Sequence, residues 1–380
     1  MSTGQPTFRA AIIGTGGIAA HRHLPALRAH QDRVDVVAAT DLNSERLQAT
    51  ADDWGIPGRY SSTEELLAAE KPDLLVVCTP PSAHREAVIA GLDAGAWVWC
   101  EKPPMLSLAE YDDVASHEGP HGPFASYVFQ HRFGSAAQRL RRHVAEGTLG
   151  HPLVTVCHTL WFRTHEYYEV PWRGRWDTEG GGPTMGHGIH QMDLLFEILG
   201  DWTEVNAQAE VLDRDVETED VSLAMVRFAS GAVGSVVNSV ISPREVSYLR
   251  FDFQDATVEV EHLYGYDNTS WRWTPAPHRA EDAETVQAWG PEDNVASSHT
   301  QQLGELIDSM ERGERPRASG DDGRRVLEFI AALYRSAETG KPVRREELRP
   351  EGIYYTGMHD ADHIYALDRS AARTQETADA

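Results

Sequence analysis

Cysteine is scarce: Cys78, Cys100 and Cys157 are the only three in 380 residues. Their number is odd and no two stand in a Cys-x-x-Cys spacing, which argues against a disulfide framework or a zinc site. Cys78 and Cys100 end apolar runs and read as buried thiols rather than nucleophiles. Long apolar runs are missing too. None approaches the roughly 20 residues of a membrane-spanning helix, and Met1 to Thr7 lacks the basic and apolar regions of a signal peptide. Positive charge is in short supply, with 34 Lys and Arg against 59 Asp and Glu and a formal net charge of -25. A nucleic-acid backbone or an anionic membrane surface is therefore repelled overall. Neither is expected as a partner, and a cytoplasmic location is. No internal repeat is evident.

What is present supports a sizeable core, 41% of residues being hydrophobic, and the length suggests roughly two or three domains. The stretch Phe8 to Ala19 runs from an apolar strand through Gly14-Thr15-Gly16-Gly17-Ile18 into a helix. Gly14 and Gly16 permit a sharp turn and the close approach of a pyrophosphate, while Ala19 lets the helix pack closely. Free N–H groups at the helix start then meet the phosphates. Glycine-rich turns also serve simple packing, but a second apolar run, Val34 to Thr40, ends on Asp41. An acidic group is expected there, roughly 20 residues on, to hold the adenosine ribose hydroxyls. The alternative for Asp41 is a helix cap. Its charge repels a 2′-phosphate and the next residue is Leu42 rather than an arginine, so NAD is the expected cofactor and NADP the lesser one.

Further along, Ser44 to Trp54 reads as a helix, Ser62-Thr63-Glu64-Glu65 as a capping box, and Leu74 to Cys78 as a strand buried on both faces. It ends in Thr79-Pro80-Pro81-Ser82-Ala83-His84. Loops at strand C-termini in open parallel sheets bind ligands, so Thr79, Pro80 and His84 are expected on the nicotinamide side. For His84, a helix-start residue satisfied by local backbone is an equal alternative. Ala96 to Cys100 is a strand ending on Glu101-Lys102-Pro103, and the proline can impose a turn or a cis bond that aims Lys102 inward. Ser107 to Glu118 reads as a helix, Phe124 to Phe129 as a last strand.

The segments Gly14 to Ala19, Thr79 to His84 and Glu101-Lys102-Pro103, in this order and spacing, resemble the Gfo/Idh/MocA oxidoreductase family. The resemblance implies an α/β protein with three regions: an N-terminal Rossmann dinucleotide-binding domain over 1–124, a C-terminal α/β domain with a large, mostly antiparallel open sheet over 125–358, and a tail over 359–380. It brings Glu101 and Lys102 to the cofactor, and it implies a homodimer or homotetramer built on the open sheet face. The second half agrees in pattern, with a helix over Ser135 to Glu146 and strands at Leu153–Leu160, Thr203–Leu212, Val221–Phe228, Ala232–Val240, Ser247–Phe253 and Thr257–Val260. Helices follow at Gln302–Glu311 and Asp322–Glu338. The end of the chain from Ser370 is small and polar and reads as disordered.

Between the first of these strands and the next helix lies Trp161 to Asp193, rich in aromatics, arginine, histidine and glycine. Gly180 to Asp193 resembles the family's signature, in which His190 matches the catalytic histidine and Asp193 the acid beneath it. Oxidising a secondary alcohol requires a group to take the hydroxyl proton as hydride leaves, a task suited to a near-neutral histidine. A lysine beside the carbinol oxygen stabilises developing charge. His190 and Lys102 are the expected pair. Many relatives carry an aspartate four residues before the histidine, where this chain has Gly186. His187 either adds a second imidazole to the pocket or caps the helix behind it. His187, His190 and Asp193 share a helix face, but no further segment completes a metal set, and no metal is expected.

Trp161, Phe162, Arg163, Tyr167, Tyr168, Trp172, Arg173, Arg175 and Trp176 flank this helix, and aromatics with arginines suit a sugar or polyol. Gln130, Arg132, Arg163, His187, His190 and Asp193 are the candidate substrate contacts beside Lys102. The resulting expectation is an NAD-dependent sugar or polyol dehydrogenase. The alternatives are a redox-neutral glycoside-cleaving enzyme and a dinucleotide sensor without turnover.

Overall fold

The computed structural model describes residues 8–363 and Tyr365. Two sheets organise it. The first is all parallel, with β1 (Phe8–Ile13), β2 (Val34–Thr40), β3 (Gly58–Tyr60), β4 (Leu74–Val77), β5 (Trp97–Cys100) and β6 (Ala125–Tyr127) in the order β3-β2-β1-β4-β5-β6. The order reverses between β1 and β4, which opens a crevice at their C-terminal ends. Every residue of β4 is buried, as a strand covered by helices on both faces requires. Strand β6 begins one residue past the expected domain boundary at 124.

Helix boundaries follow local chemistry. Asn43 and Ser62 cap the helices Ser44–Trp54 and Thr63–Glu70 through side-chain oxygens, and Ser107 does the same for Leu108–Ser116. The helix Ser135–Glu146 buries Ala136, Ala137, Leu140 and His143 on one face and ends at the left-handed Gly147.

The second sheet holds β7 (Pro152–Phe162), β8 (Trp202–Glu210), β9 (Val221–Phe228), β10 (Val233–Ser239), β11 (Ile241–Phe253), β12 (Ala256–His262), β13 (Trp271–Pro275) and β14 (Val343–Arg344), ordered β13-β12-β11-β7-β10-β9-β8-β14. Only the β7–β10 pair is parallel. The short edge strands β13 and β14 were not among the expected ones: β14 is only two residues long, whereas β13, Trp271-Arg272-Trp273-Thr274, does alternate. One face is covered by Ile189–Leu199 and Gly320–Thr339, and a single apolar cluster runs from Leu75 and Val98 of the first sheet through Phe196 and Phe329 to Val226 and Val236 of the second.

The expected tail packs at its start. His359 stacks on Trp176 with ring centroids 4.5 Å apart, and buried Tyr365 donates to Glu338 at 3.1 Å. The disorder expected from Ser370 and the segment Met1 to Thr7 lie outside the described residues. No helix among the described residues is long and apolar enough to cross a membrane.

Candidate active site

A cleft of about 870 Å³ runs from the β1 glycines to the start of the helix Ile189–Leu199. At its first end Gly14 has φ +84°, and a Cβ there would stand 2.8 Å from the Cys78 carbonyl oxygen, so the β1 turn can approach β4 only without a side chain. Gly16, Gly17, Ile18, Thr79 and Pro80 line the wall, and nothing lies within 4 Å of a Cβ built on Gly16. That open glycine beside a helix start leaves the room a pyrophosphate needs.

Asp41 lines the same end. Its carboxylate accepts from Thr15 N at 2.7 Å, Thr15 Oγ1 at 2.9 Å, Asn43 N at 2.8 Å and Arg46 Nη2 at 2.6 Å. Burial alone would raise its pKa; Arg46, then the Asn43 and Thr15 donors, outweigh that and hold it at about 2. It is not the helix cap, since Asn43 fills that place. Thr15, an expected cofactor contact, is instead buried behind the wall, where it orients Asp41. The arginine sought at position 42 arrives from the following helix as Arg46, which reaches the cleft although the sequence offers only its place in the first turn after the acid.

His84 is a second correction. It is fully buried away from the cleft, with Nδ1 2.9 Å from the Pro103 carbonyl oxygen and Nε2 3.0 Å from that of Thr79. Its position at the helix start turns both ring nitrogens toward backbone and ties the Thr79 loop to the Pro103 loop. Glu101 does line the cleft, and its carboxylate faces His23 Nε2 at 2.7 Å and His299 Nε2 at 3.5 Å. These three buried side chains have metal-ligand types. Yet 2.7 Å is hydrogen-bond distance, whereas two ligands on one zinc, each about 2.1 Å from it, stand about 3.4 Å apart. Burial opposes the Glu101 charge, but His23 and His299 hold its carboxyl well below the ordinary range.

At the other end the Lys102 side chain donates from Nζ to the Gly186 carbonyl oxygen at 2.8 Å, and the Lys102–Pro103 bond is cis. His187 and His190 reach the cleft from a wide turn, Thr184–Gly188, that leads into Ile189–Leu199. The turn fits tightly: a Cβ on Gly188 would strike Asn238 Oδ1 at 1.9 Å, and the buried Glu219 carboxylate accepts from the Gly182 and Thr184 amides at 3.0 Å each. His190 is 4% exposed, and neither ring nitrogen has a hydrogen-bond partner among the described residues. Burial, then Lys102, pushes its pKa well below the ordinary value, leaving a neutral imidazole. Lys102 is itself lowered by burial, against which Glu101 and Glu179 pull it up.

The other expected substrate residues divide. Arg163 lines the cleft, over the Trp161 ring at 4.7 Å. Arg132 and Asp193 do not: they form a buried ion pair, Arg132 Nε to Asp193 Oδ2 being 2.7 Å, with Glu197 and Asp322 completing the set. Burial alone would lower Arg132, but Asp193 and then the other two carboxylates hold it well above its ordinary value. Asp193 sits one turn beyond His190 on the helix side facing the Gln130–Phe133 turn, so the acid that the resemblance puts beneath the histidine belongs instead to a structural pair. Gln130 is buried and is not part of the cleft wall. Of the aromatic stretch, Trp161, Tyr167, Trp172 and Arg173 line the cleft, whereas Phe162, Tyr168, Arg175 and Trp176 do not. Glu179 and Tyr264 line it as well and were not anticipated. Glu179 stands immediately before Gly180-Gly181-Gly182, the one local cue for it; Tyr264 follows β12 in a loop without any.

Comparison with known proteins gives two family matches along the chain. Residues 8–125 match the model of an oxidoreductase family with an NAD-binding Rossmann fold, and 137–261 match the GFO/IDH/MocA C-terminal domain. D-glucoside 3-dehydrogenase of Escherichia coli is 27% identical over 88% of this chain and 97% of that enzyme. Myo-inositol 2-dehydrogenase of Thermotoga maritima is 28% identical over 90% and 99%. Among solved structures, the WlbA dehydrogenase from Chromobacterium violaceum, in complex with NADH and UDP-GlcNAcA, is 26% identical with a TM-score of 0.79, covering 90% of this chain and 96% of its own.

Proposed function

This chain belongs to the Gfo/Idh/MocA oxidoreductase family, and from that premise we propose that it oxidises a secondary alcohol of a sugar, inositol or related polyol, or reduces the corresponding ketone. The single observation that carries this reading is His190, a buried neutral imidazole with both ring nitrogens unpartnered in the same cleft as the Lys102 ammonium. Bound NAD supplies the hydride acceptor. Gly14, Gly16, Gly17 and Ile18 leave space for its pyrophosphate, and Asp41, ionised at neutral pH, is placed for the ribose hydroxyls. The open Cβ position at Gly16 is the observation that fits the dinucleotide to this end of the cleft.

In the alcohol-oxidising direction His190 accepts the hydroxyl proton, and Lys102 donates a hydrogen bond to the carbinol oxygen as negative charge develops there. Unprotonated in the buried pocket, His190 has a ring lone pair free to take that proton. Trp161 and Trp172 offer flat faces to a sugar ring, and Arg163 and Arg173 bind its oxygens. The test is NADH formation from NAD across glycosides, inositols and free sugars, with products followed alongside. Appearance of NADH with one substrate group supports the dehydrogenase; glycoside cleavage without NADH would replace it by the redox-neutral reaction.

The chain self-associates, in our reading, through the open face of the second sheet. Leu223, Met225 and Val233 are exposed there and share that face with Val154, which pairs with Val233. Free buried thiols and a diffusible nicotinamide cofactor suit a cytoplasmic enzyme. Met225→Lys is expected to convert a sedimenting dimer or tetramer to a smaller species.

A further inference from the structure

Position 186 raises a question that the pocket itself answers. Lys102 is drawn into the cleft with its ammonium on the Gly186 carbonyl, and a glycine there supplies no charge to balance it. A carboxylate nevertheless occupies the adjoining space. Glu179 ends the four-residue helix Trp176–Glu179, is 5% exposed and lines the cleft. A Cβ built on Gly186 would stand 3.4 Å from Glu179 Oε1, an ordinary van der Waals distance. The volume that an acidic side chain at 186 would enter is thus filled by an acid from seven residues upstream.

We infer that Glu179 is the relocated counter-charge of Lys102, a positioning residue that holds the ammonium over the carbinol in place of a carboxylate at 186. The inference rests on the proposed dehydrogenase reading. Glu179 is itself held from behind: Gly174 N donates to Oε2 at 2.6 Å, and Arg173 Nη1 lies 3.4 Å from Oε1. One carboxylate therefore anchors the aromatic loop and faces the lysine. Its charge acts on Lys102 together with Glu101, against Arg173 and Arg163, while His187 and His190 face the same ammonium and are held neutral. Burial raises the Glu179 pKa, and Gly174, Arg173 and Lys102 each pull it back down. Without the Glu179 charge, Lys102 keeps only the Gly186 carbonyl and the Glu101 charge, and its preference for the protonated form that donates to substrate oxygen weakens.

Replacement by an amide separates charge from anchoring, since the Gln carbonyl can still accept from Gly174 N. The chain has only three lysines, Lys71, Lys102 and Lys341, so competitive acetylation across pH, read by mass spectrometry, reports the Lys102 titration without any turnover. In Glu179→Gln the Lys102 midpoint should fall by about one pH unit, the alkaline limb of kcat should move down with it, and kcat should drop at least tenfold with KM nearly unchanged. Gly186→Asp in the Glu179→Gln background returns a carboxylate to the same space and should restore both the midpoint and most of kcat; Gly186 has no left-handed backbone to forbid a side chain. An unchanged Lys102 midpoint in Glu179→Gln overturns the inference, as does a double variant that melts like wild type yet recovers neither. Failure of the underlying reading looks different: Lys102→Ala would then turn over like wild type, while the labelling midpoints would still decide the role of Glu179.

Discussion

The two ends of the cleft are built on opposite terms. At the cofactor end the central carboxylate is already bonded: Asp41 takes Thr15, Asn43 and Arg46, and Asn43 caps the helix behind it. At the reaction end bonds are left open. Among the described residues, both His190 nitrogens and His187 Nδ1 have no protein partner although all are buried. Leaving such groups unpaired costs on the order of 1–3 kcal/mol each. A fold carries that cost where a ligand or a reacting proton will complete the set. The cofactor end is thus a preformed cradle, and the reaction end is a set of unsaturated valences held in place by packing.

The largest expected effect tests whether the two ends are separable. His190→Ala should lower kcat by about 10²- to 10⁴-fold and leave NADH binding, followed by fluorescence titration, within a factor of two. A parallel collapse of cofactor affinity would mean that the ends are one unit. A smaller effect falls on the cradle: Asp41→Asn keeps the shape but removes the charge, and should weaken NAD binding about tenfold. The NADP to NAD ratio of kcat/KM should rise at the same time, because Arg46 is then free to meet a 2′-phosphate. If Asp41→Asn left both affinities alone, the acid would be only a loop brace.

The smallest effect is on stability. Burial holds His131, His187 and His190 well below the ordinary histidine value, and His262 at about 4. The unfolded chain takes up these protons as pH falls below about 6.5 while the folded chain refuses them. Stability from these groups is therefore complete above that pH and is lost progressively below it. Asp41, held at about 2, is silent in that window. Tm should be level from pH 8 to 7 and decline toward pH 5, and His262→Gln should flatten the decline. Asp193 and Glu219, raised to about 7 by burial, take up protons in the folded chain over the same window and oppose the decline, so the difference between wild type and His262→Gln is the readout; identical profiles would mean that His262 titrates in the folded protein.

Much of this was legible along the chain because it depends on neighbours in sequence. Gly14 and Asp41 are read from one strand-turn-helix-strand unit, and Ser62 and Ser107 from their own helix starts. Thr15 and His84 were within reach of the same motifs but point inward, because motif position specifies where the backbone goes and not which side a side chain takes. Arg132 and Asp193 stand 61 residues apart; each is a plausible substrate ligand alone, and only their meeting turns both into a structural pair.

Periodicity, caps and glycine spacing therefore determined the dinucleotide cradle from the sequence alone, since these follow from local backbone preference and alternation of polarity; the two-domain division and the Lys102–His190 pair came from the resemblance to the family's motifs. Which carboxylate faces Lys102 was decided by tertiary structure. Glu179 and Gly186 come together through the fold of the intervening glycine-rich turn, which is fixed by Glu219 from the segment before β9 and Asn238 from β10. A contact set by partners so distant in sequence has no local signal to read.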